Sequence, residues 1–332
     1  MSVRPGDKAT GTSGGWLPLA IAGIVLILVS MLAACSVDRS RHLNISNRAI
    51  RVVATTSLVG DLVNNIGGDR VEVVTLMGPG IDPHLYKARE RDVIHMADAD
   101  IIFYGGLHLE GAMTEVLEKL ARRSPTAPVT GSIPVEELLS PQNYHGLFDP
   151  HVWFDVRLWM KAADAVRQNL AALDSSHAAL YRTNYETYLE RLEELHRYVL
   201  AQIGTIPENR RILITAHDAF AYFGRAYGVR VIGLQGISTA AEAGAADVRD
   251  LAETIVTHRI PALFVESSVP RQSIEAVQAA VRSRGFSVSI GGELFSDALG
   301  TKGTPEGTYI GMIKFNVDTI VAALKGDGET GK

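Results

Sequence analysis

With 332 residues, 46% of them hydrophobic and 21% charged, the chain is long and apolar enough to build two cores, and its composition excludes an extended disordered protein. A formal charge of -5 argues against nucleic acid as a partner and is compatible with a cationic ligand. One cysteine rules out an intramolecular disulfide, so the stability of the fold rests on burial.

The first predicted element is an export signal. Trp16 to Ala34 is a predominantly apolar run of 19 residues, preceded by Arg4 and Lys8 and ending in Leu32-Ala33-Ala34-Cys35. Small residues before the only cysteine form a lipobox, so residues 1–34 read as a lipoprotein signal peptide and Cys35 as the lipidation site. The run is also long enough for an uncleaved membrane anchor. Cleavage would leave 298 residues with a formal charge of -6, starting with a polar tether over 35–48.

Residues 49–173 read as a first α/β lobe. Strands are predicted at Ile50–Thr55, Val71–Met77, Ile101–Tyr104, near Val129 and at Val152–Phe154, with helices at Val59–Ile66, Arg89–Met96, Gly111–Ala121 and Leu158–Leu170. A long helix follows within 174–206. Over Ser176–Ile203, Tyr181, Tyr185, Tyr188, Leu189, Leu192, Leu195, Val199 and Ile203 recur at steps of three and four, and Asp174, Ser175 and Ser176 offer capping oxygens. At 1.5 Å per residue this helix would span roughly 42 Å, more than the width of one lobe, which makes it a beam between two.

Residues 207–326 repeat the alternation without repeating the sequence, and 327–332 is a tail. Strands are predicted at Ile212–Thr215, Val229–Leu234, Ala262–Val265 and Ser287–Ile290, and helices at Ala246–Thr257, Ser273–Arg282 and Thr308–Leu324. The fold class is therefore α/β: two lobes, each with a small, mainly parallel sheet flanked by helices, joined by one long backbone helix.

Ligands of open α/β sheets bind beyond the carboxyl ends of the strands, so the loops after strands carry the functional signal. Two contain the same tripeptide, Asp82-Pro83-His84 and Asp149-Pro150-His151, in which proline fixes the backbone and a carboxylate stands within reach of the imidazole. His217 follows a second-lobe strand, and Asp297 follows the last strand. Three imidazoles and a carboxylate are a complete set of protein ligands for a borderline divalent metal. Each residue also has a plainer reading: a surface or hydrogen-bonded histidine, a turn or N-cap aspartate at 297, and an N-cap at Asp218.

The segments GPGIDPHLYKARERD, GLHLEG, FDPHVWFD, TAHDAFAYFGRAYG, GLQGISTAAEAG, FVESSVP and GGELFSDALG resemble, in order, the signature segments of the bacterial metal-binding solute-binding proteins of family 9, specifically the TroA-like manganese and zinc branch. The resemblance runs from about residue 50 to 325. It implies two α/β lobes on a single backbone helix, and metal ligands at His84, His151, His217 and Asp297. Asp82, Asp149 and Glu266 become supporting residues behind the ligands, while His108 and Glu110 would shape the cleft edge of the first lobe. Zinc-dedicated relatives often carry a His-rich loop before the second ligand motif, and Ser140–Phe148 holds only His145. Manganese-dedicated relatives often have Glu where this chain has His217.

The function implied is extracytoplasmic capture of one divalent transition metal per chain, Mn2+ or Zn2+ and possibly iron, and its delivery to an ABC permease and its ATPase. The protein would be a monomer, lipid-anchored and periplasmic or cell-surface facing, with no enzymatic activity and no nucleic-acid partner. The alternatives are a metal-dependent hydrolase using the same four residues and a metal-stabilised surface adhesin. Gly291, Gly292 and Gly300 around Asp297 point to that loop as the one that rearranges on release.

Overall fold

The computed structural model describes residues 1–2, 45, 47–122, 124–141 and 146–325. The signal peptide, Cys35, most of the tether, His145 and the tail lie outside the described residues. From Ile45 onward the chain forms one compact unit.

In the first half, β1 (Ile50–Thr56), β2 (Val71–Met77), β3 (Ile101–Tyr104) and β4 (Thr126–Pro128) form one sheet in the order β2-β1-β3-β4. Every pair is parallel, with Ile50 opposite Val71 and Val52 opposite Ile101. Parallel strands need crossovers, and α1 (Ser57–Gly67), α2 (Glu90–Asp98) and α3 (Thr114–Ala121) supply them. Thr56 caps α1 by accepting from the Val59 N–H at 3.3 Å. Val53, Met77, Met96, Ile102, Met113 and Leu117 pack as one core on this sheet.

The second half contains β5 (Ile212–His217) paired with β6 (Arg230–Gln235), and β7 (Ala262–Glu266) paired with β8 (Ser289–Leu294), again parallel. Helices α6 (Ala221–Tyr227), α7 (Ala245–His258), α8 (Gln272–Arg282) and α9 (Tyr309–Lys325) flank them. Ile214, Leu251, Ile255, Leu263, Ile274 and Val277 are among the residues of its core.

At the end of the first half, α4 (Val156–Leu173) leads to α5 (Ala178–Gly204), a helix of 27 residues between the halves. Tyr181, Tyr188, Leu192, Leu195, Val199 and Ile203 are buried on it, against α1 and α4 of the first half and α9 of the second. Burying each such side chain is worth about 1.5–3 kcal/mol, which fixes this face and leaves the charged one in water. His196 shares the buried face, with Nδ1 3.2 Å from the Tyr227 hydroxyl.

Three expectations are corrected. The long helix starts at Ala178 after a 3-10 turn, because the Asp174 carboxylate does not cap it: that group accepts from Arg70 at 2.7 Å, Tyr181 at 2.9 Å and Ser176 at 2.7 Å. A distant arginine outcompetes the orphan amides of the helix end. Val152–Phe154 is a 3-10 turn and not a strand, since Val152 and Phe154 donate their N–H groups to Pro150 and His151 and leave no ladder to make. Finally, α6 begins at Ala221 without a side-chain cap, so Asp218 plays no such role.

Candidate metal centre

The four candidate ligands come from four separate places. His84 lies in the loop after β2, His217 is the last residue of β5, Asp297 follows β8, and His151 opens the 3-10 turn leading into α4. The strand-end rule thus covers three of them. His217 sits inside its strand, opposite Gln235, and not beyond it.

All four are brought together and buried. His84 is 6% exposed, Asp297 1% and the other two 0%. Their ligating atoms lie within 4.8 Å of one another. His84 Nε2 is 3.3 Å and His217 Nε2 3.4 Å from His151 Nε2, while the Asp297 oxygens stand 3.5 Å from His151 Nε2 and 3.4 Å from His217 Nε2. Four donors on bonds of about 2.0–2.1 Å at the tetrahedral angle would be about 3.3–3.4 Å apart. The donors fit a metal ion in chemistry, and the four contacts that His151 and His217 make within the set come close to that spacing.

The groups behind the ligands direct their lone pairs. Asp149 Oδ1 lies 2.7 Å from His151 Nδ1 and also accepts the His151 backbone N–H at 2.9 Å, leaving Nε2 as the free nitrogen. Glu266, at the end of β7, accepts the His217 backbone N–H through Oε1 at 2.9 Å, and its Oε2 stands 2.6 Å from His217 Nδ1, off the ideal hydrogen-bond angle. Asp82 behaves differently from Asp149: it accepts the backbone N–H of His84 at 2.8 Å. With Asp149 engaging His151 Nδ1, each of the 3.3–3.4 Å contacts at His151 Nε2 needs a proton or a cation between the two nitrogens.

Electrostatics follow from burial and the two acids. Burial pushes the His84 imidazolium down to about 3, so the ring is neutral and able to ligate. Burial also disfavours a charged His217, but Glu266 and Asp297 outweigh it and hold that ring well above the usual histidine range. Burial alone would raise Asp297; the rings of His217, His151 and His84 overcome it and hold the carboxyl well below the usual range.

Glu110 and His108 are not part of the cluster. Glu110 is 2% exposed and accepts from Thr55 Oγ1 at 2.6 Å and from the Gly105 N–H at 2.7 Å, which anchors a turn where Gly106, Leu107 and His108 all have positive φ. Together they line a separate cavity of about 620 Å³ in the first half. Two contributors escaped the sequence reading: Ser268, whose Oγ donates to Asp297 Oδ2 at 3.3 Å, and Trp153, whose ring meets His151 edge-on at 5.2 Å. Both lie in the segments quoted above, and no spacing rule singles them out.

A buried cage of three imidazoles and one carboxylate, drawn from both halves of a parallel α/β fold on a long helix, defines a protein able to enclose one metal ion. Over residues 52–323 the chain matches the family described as zinc-uptake complex component A, periplasmic (ZnuA), and it belongs to that family. It is 44% identical to the manganese-binding lipoprotein MntA of Bacillus subtilis over 301 residues, which covers 91% of this chain and 97% of that protein. It is 49% identical to the zinc-binding protein TroA of Treponema pallidum over 273 residues, covering 82% of this chain and 88% of that one. The solved structure of the periplasmic zinc-binding TroA of Treponema pallidum superposes with a TM-score of 0.82 at 48% identity, over 84% of this chain and all of that one.

Proposed function

We propose that this protein captures a single divalent transition metal, zinc or manganese, outside the cytoplasmic membrane and hands it to an ABC permease and its ATPase. His84, His151, His217 and Asp297 are the ligands; Asp149 and Glu266 orient two of the rings, and Asp82 fixes the backbone of the third. The observation that carries this reading is the convergence of four buried donor groups, with Asp149 hydrogen-bonded to the far nitrogen of His151 and Glu266 Oε2 2.6 Å from that of His217. Names of relatives on both sides of the manganese–zinc divide support the metal class. Three imidazoles favour zinc by intrinsic affinity, so in the cell supply decides between the two.

Residues 49–173 and 207–326 act as the two lobes on the 174–206 helix, each contributing two ligands. Cys35 carries the lipid anchor, in keeping with the lipoprotein relative. Catalysis is disfavoured because hydrolytic zinc keeps a coordination position for water, and four protein donors close the set. Calorimetric titration of metal-stripped mature protein with manganese, zinc and iron(II) tests the reading. One ion per chain is expected, below micromolar Kd for zinc or manganese; failure of both to bind would end it.

A further inference from the structure

The GLQGISTAAEAG segment, one of the signature stretches, contributes no ligand, yet one of its side chains reaches the site. Thr239 is 8% exposed, and its Oγ1 donates to Asp82 Oδ2 across 157 residues of sequence. The other oxygen of the same carboxylate, Oδ1, accepts the His84 backbone N–H at 2.8 Å. Asp82 therefore bridges a ligand-bearing loop of the first half to a buried hydroxyl of the second. Among the described residues this is the one hydrogen bond that crosses from residues 78–89 to the second half.

The Asp297 loop is held quite differently. Leu299 donates its N–H to Ser57 Oγ at 2.9 Å, Tyr309 donates its N–H to Asp61 at 3.1 Å, Trp153 Nε1 donates to the Ser296 carbonyl at 2.9 Å, and the Tyr309 hydroxyl donates to the Trp153 carbonyl at 2.7 Å. Four bonds from the first half clamp the segment around Asp297. Its glycines serve packing: a Cβ at Gly300 would stand 2.8 Å from that of Glu306, and one at Gly291 would stand 2.7 Å from that of Ala323. The loop expected to move on release is the better fastened of the two. His84, by contrast, is the most exposed ligand, next to Leu85 at 53%, on a loop that turns through Gly80 at φ 69°.

Resting on the metal-capture reading, we infer that Thr239 is a positioning residue: through Asp82 it latches the His84 loop onto the second half, and the latch is the contact that parts when metal leaves. Zinc leaves when the His84 loop swings away from the other three ligands. A hydroxyl–carboxylate bond suits this role because its net worth is modest, so it can break without unfolding either half.

The test uses the mature protein loaded with zinc and mixed with excess chelator in stopped flow, for wild type, Thr239→Val and Thr239→Ser. Valine keeps the shape and removes the hydroxyl; serine keeps the hydroxyl. Release is expected to be about tenfold faster in Thr239→Val, the size of one lost hydrogen bond to a charged acceptor, and near wild type in Thr239→Ser. Metal-free melting temperatures should agree within about 2 °C, since the latch is already parted without metal and a stability change smaller than about 1 kcal/mol moves a protein of this size by no more. Equal rates in Thr239→Val and wild type overturn the latch, as do two equally fast variants or a Thr239→Val protein that melts well below wild type without metal. A wild type that takes up no zinc fails at the first step, which overturns the metal reading itself and the latch with it.

Discussion

The loops bearing His84 and Asp297 bring candidate ligands to one point but are built on opposite principles. The Asp297 segment is stitched to the first half by Ser57, Asp61, Trp153 and Tyr309 and backed by Ser268, whereas the His84 loop reaches the second half through the Asp82–Thr239 bond. The contrast teaches that a site shared between two halves need not be shared evenly. A ligand from one half can be positioned mainly by side chains of the other. Affinity then resides in the rigid side, where preorganised donors lose little freedom on binding, and exchange resides in the side with one latch.

The largest effect should come from the rigid side. Asp297→Ala removes the carboxylate that faces His151 and His217, and zinc affinity by calorimetry should fall by more than about a hundredfold, beyond the 10–100-fold typical of a supporting residue. A smaller loss than that caused by Thr239→Val would break the comparison.

Weakening the long helix should leave the contrast intact. Leu192 is fully buried on α5, and Leu192→Ala should lower unfolding free energy by about 2–5 kcal/mol in denaturant melts. The zinc dissociation constant of the protein that remains folded should not move. A parallel shift in affinity would mean that the beam tunes the site directly.

Single stitches should matter less. Ser57→Ala leaves the Leu299 N–H without its acceptor and should cost about 1 kcal/mol of stability by thermal melting. Because three other bonds still hold the segment, its zinc release should accelerate less than that of Thr239→Val. The reverse order would transfer the exchange role to the Asp297 side.

The smallest effect is a pH slope far from both loops. Burial would raise the Asp174 carboxyl, but bonds from His177, Arg70, Ser176 and Tyr181 overcome it and hold it well below the usual carboxylate range. A folded-state pKa below the unfolded one, about 3.9, gives a stabilising contribution that is present above that pH and lost as the pH falls toward the folded value. Melting temperatures of metal-free protein should therefore fall between pH 5 and pH 3 more steeply in wild type than in Asp174→Asn. Equal slopes would show that the Arg70 pair carries none of the acid sensitivity.

Much of this was legible in the sequence because the signals were local. The period of Tyr181, Tyr188, Leu192, Leu195 and Val199 defined α5, and strand–helix alternation placed His84, His217 and Asp297 at strand ends where parallel sheets bind ligands. His151 was legible through its repeated Asp-Pro-His tripeptide alone, since the following residues form a turn and not a strand. What escaped depends on partners far apart in the chain. The diversion of Asp174 from capping to Arg70 spans 104 residues, and the Thr239–Asp82 bond spans 157. Period and capping rules carry no information at those separations. The glycines near Asp297 give an ambiguous signal for a related reason: close approach to Glu306 and Ala323 requires glycine as firmly as a hinge does.

The central claim is that these four side chains, drawn from both halves, hold the metal. X-ray absorption fine structure of the zinc-loaded mature protein tests it most directly. The account predicts three imidazole nitrogens and one carboxylate oxygen at about 2.0–2.1 Å, with the imidazole count falling to two in His84→Ala. A wild-type spectrum with fewer than three imidazoles, or one unchanged by His84→Ala, would contradict it.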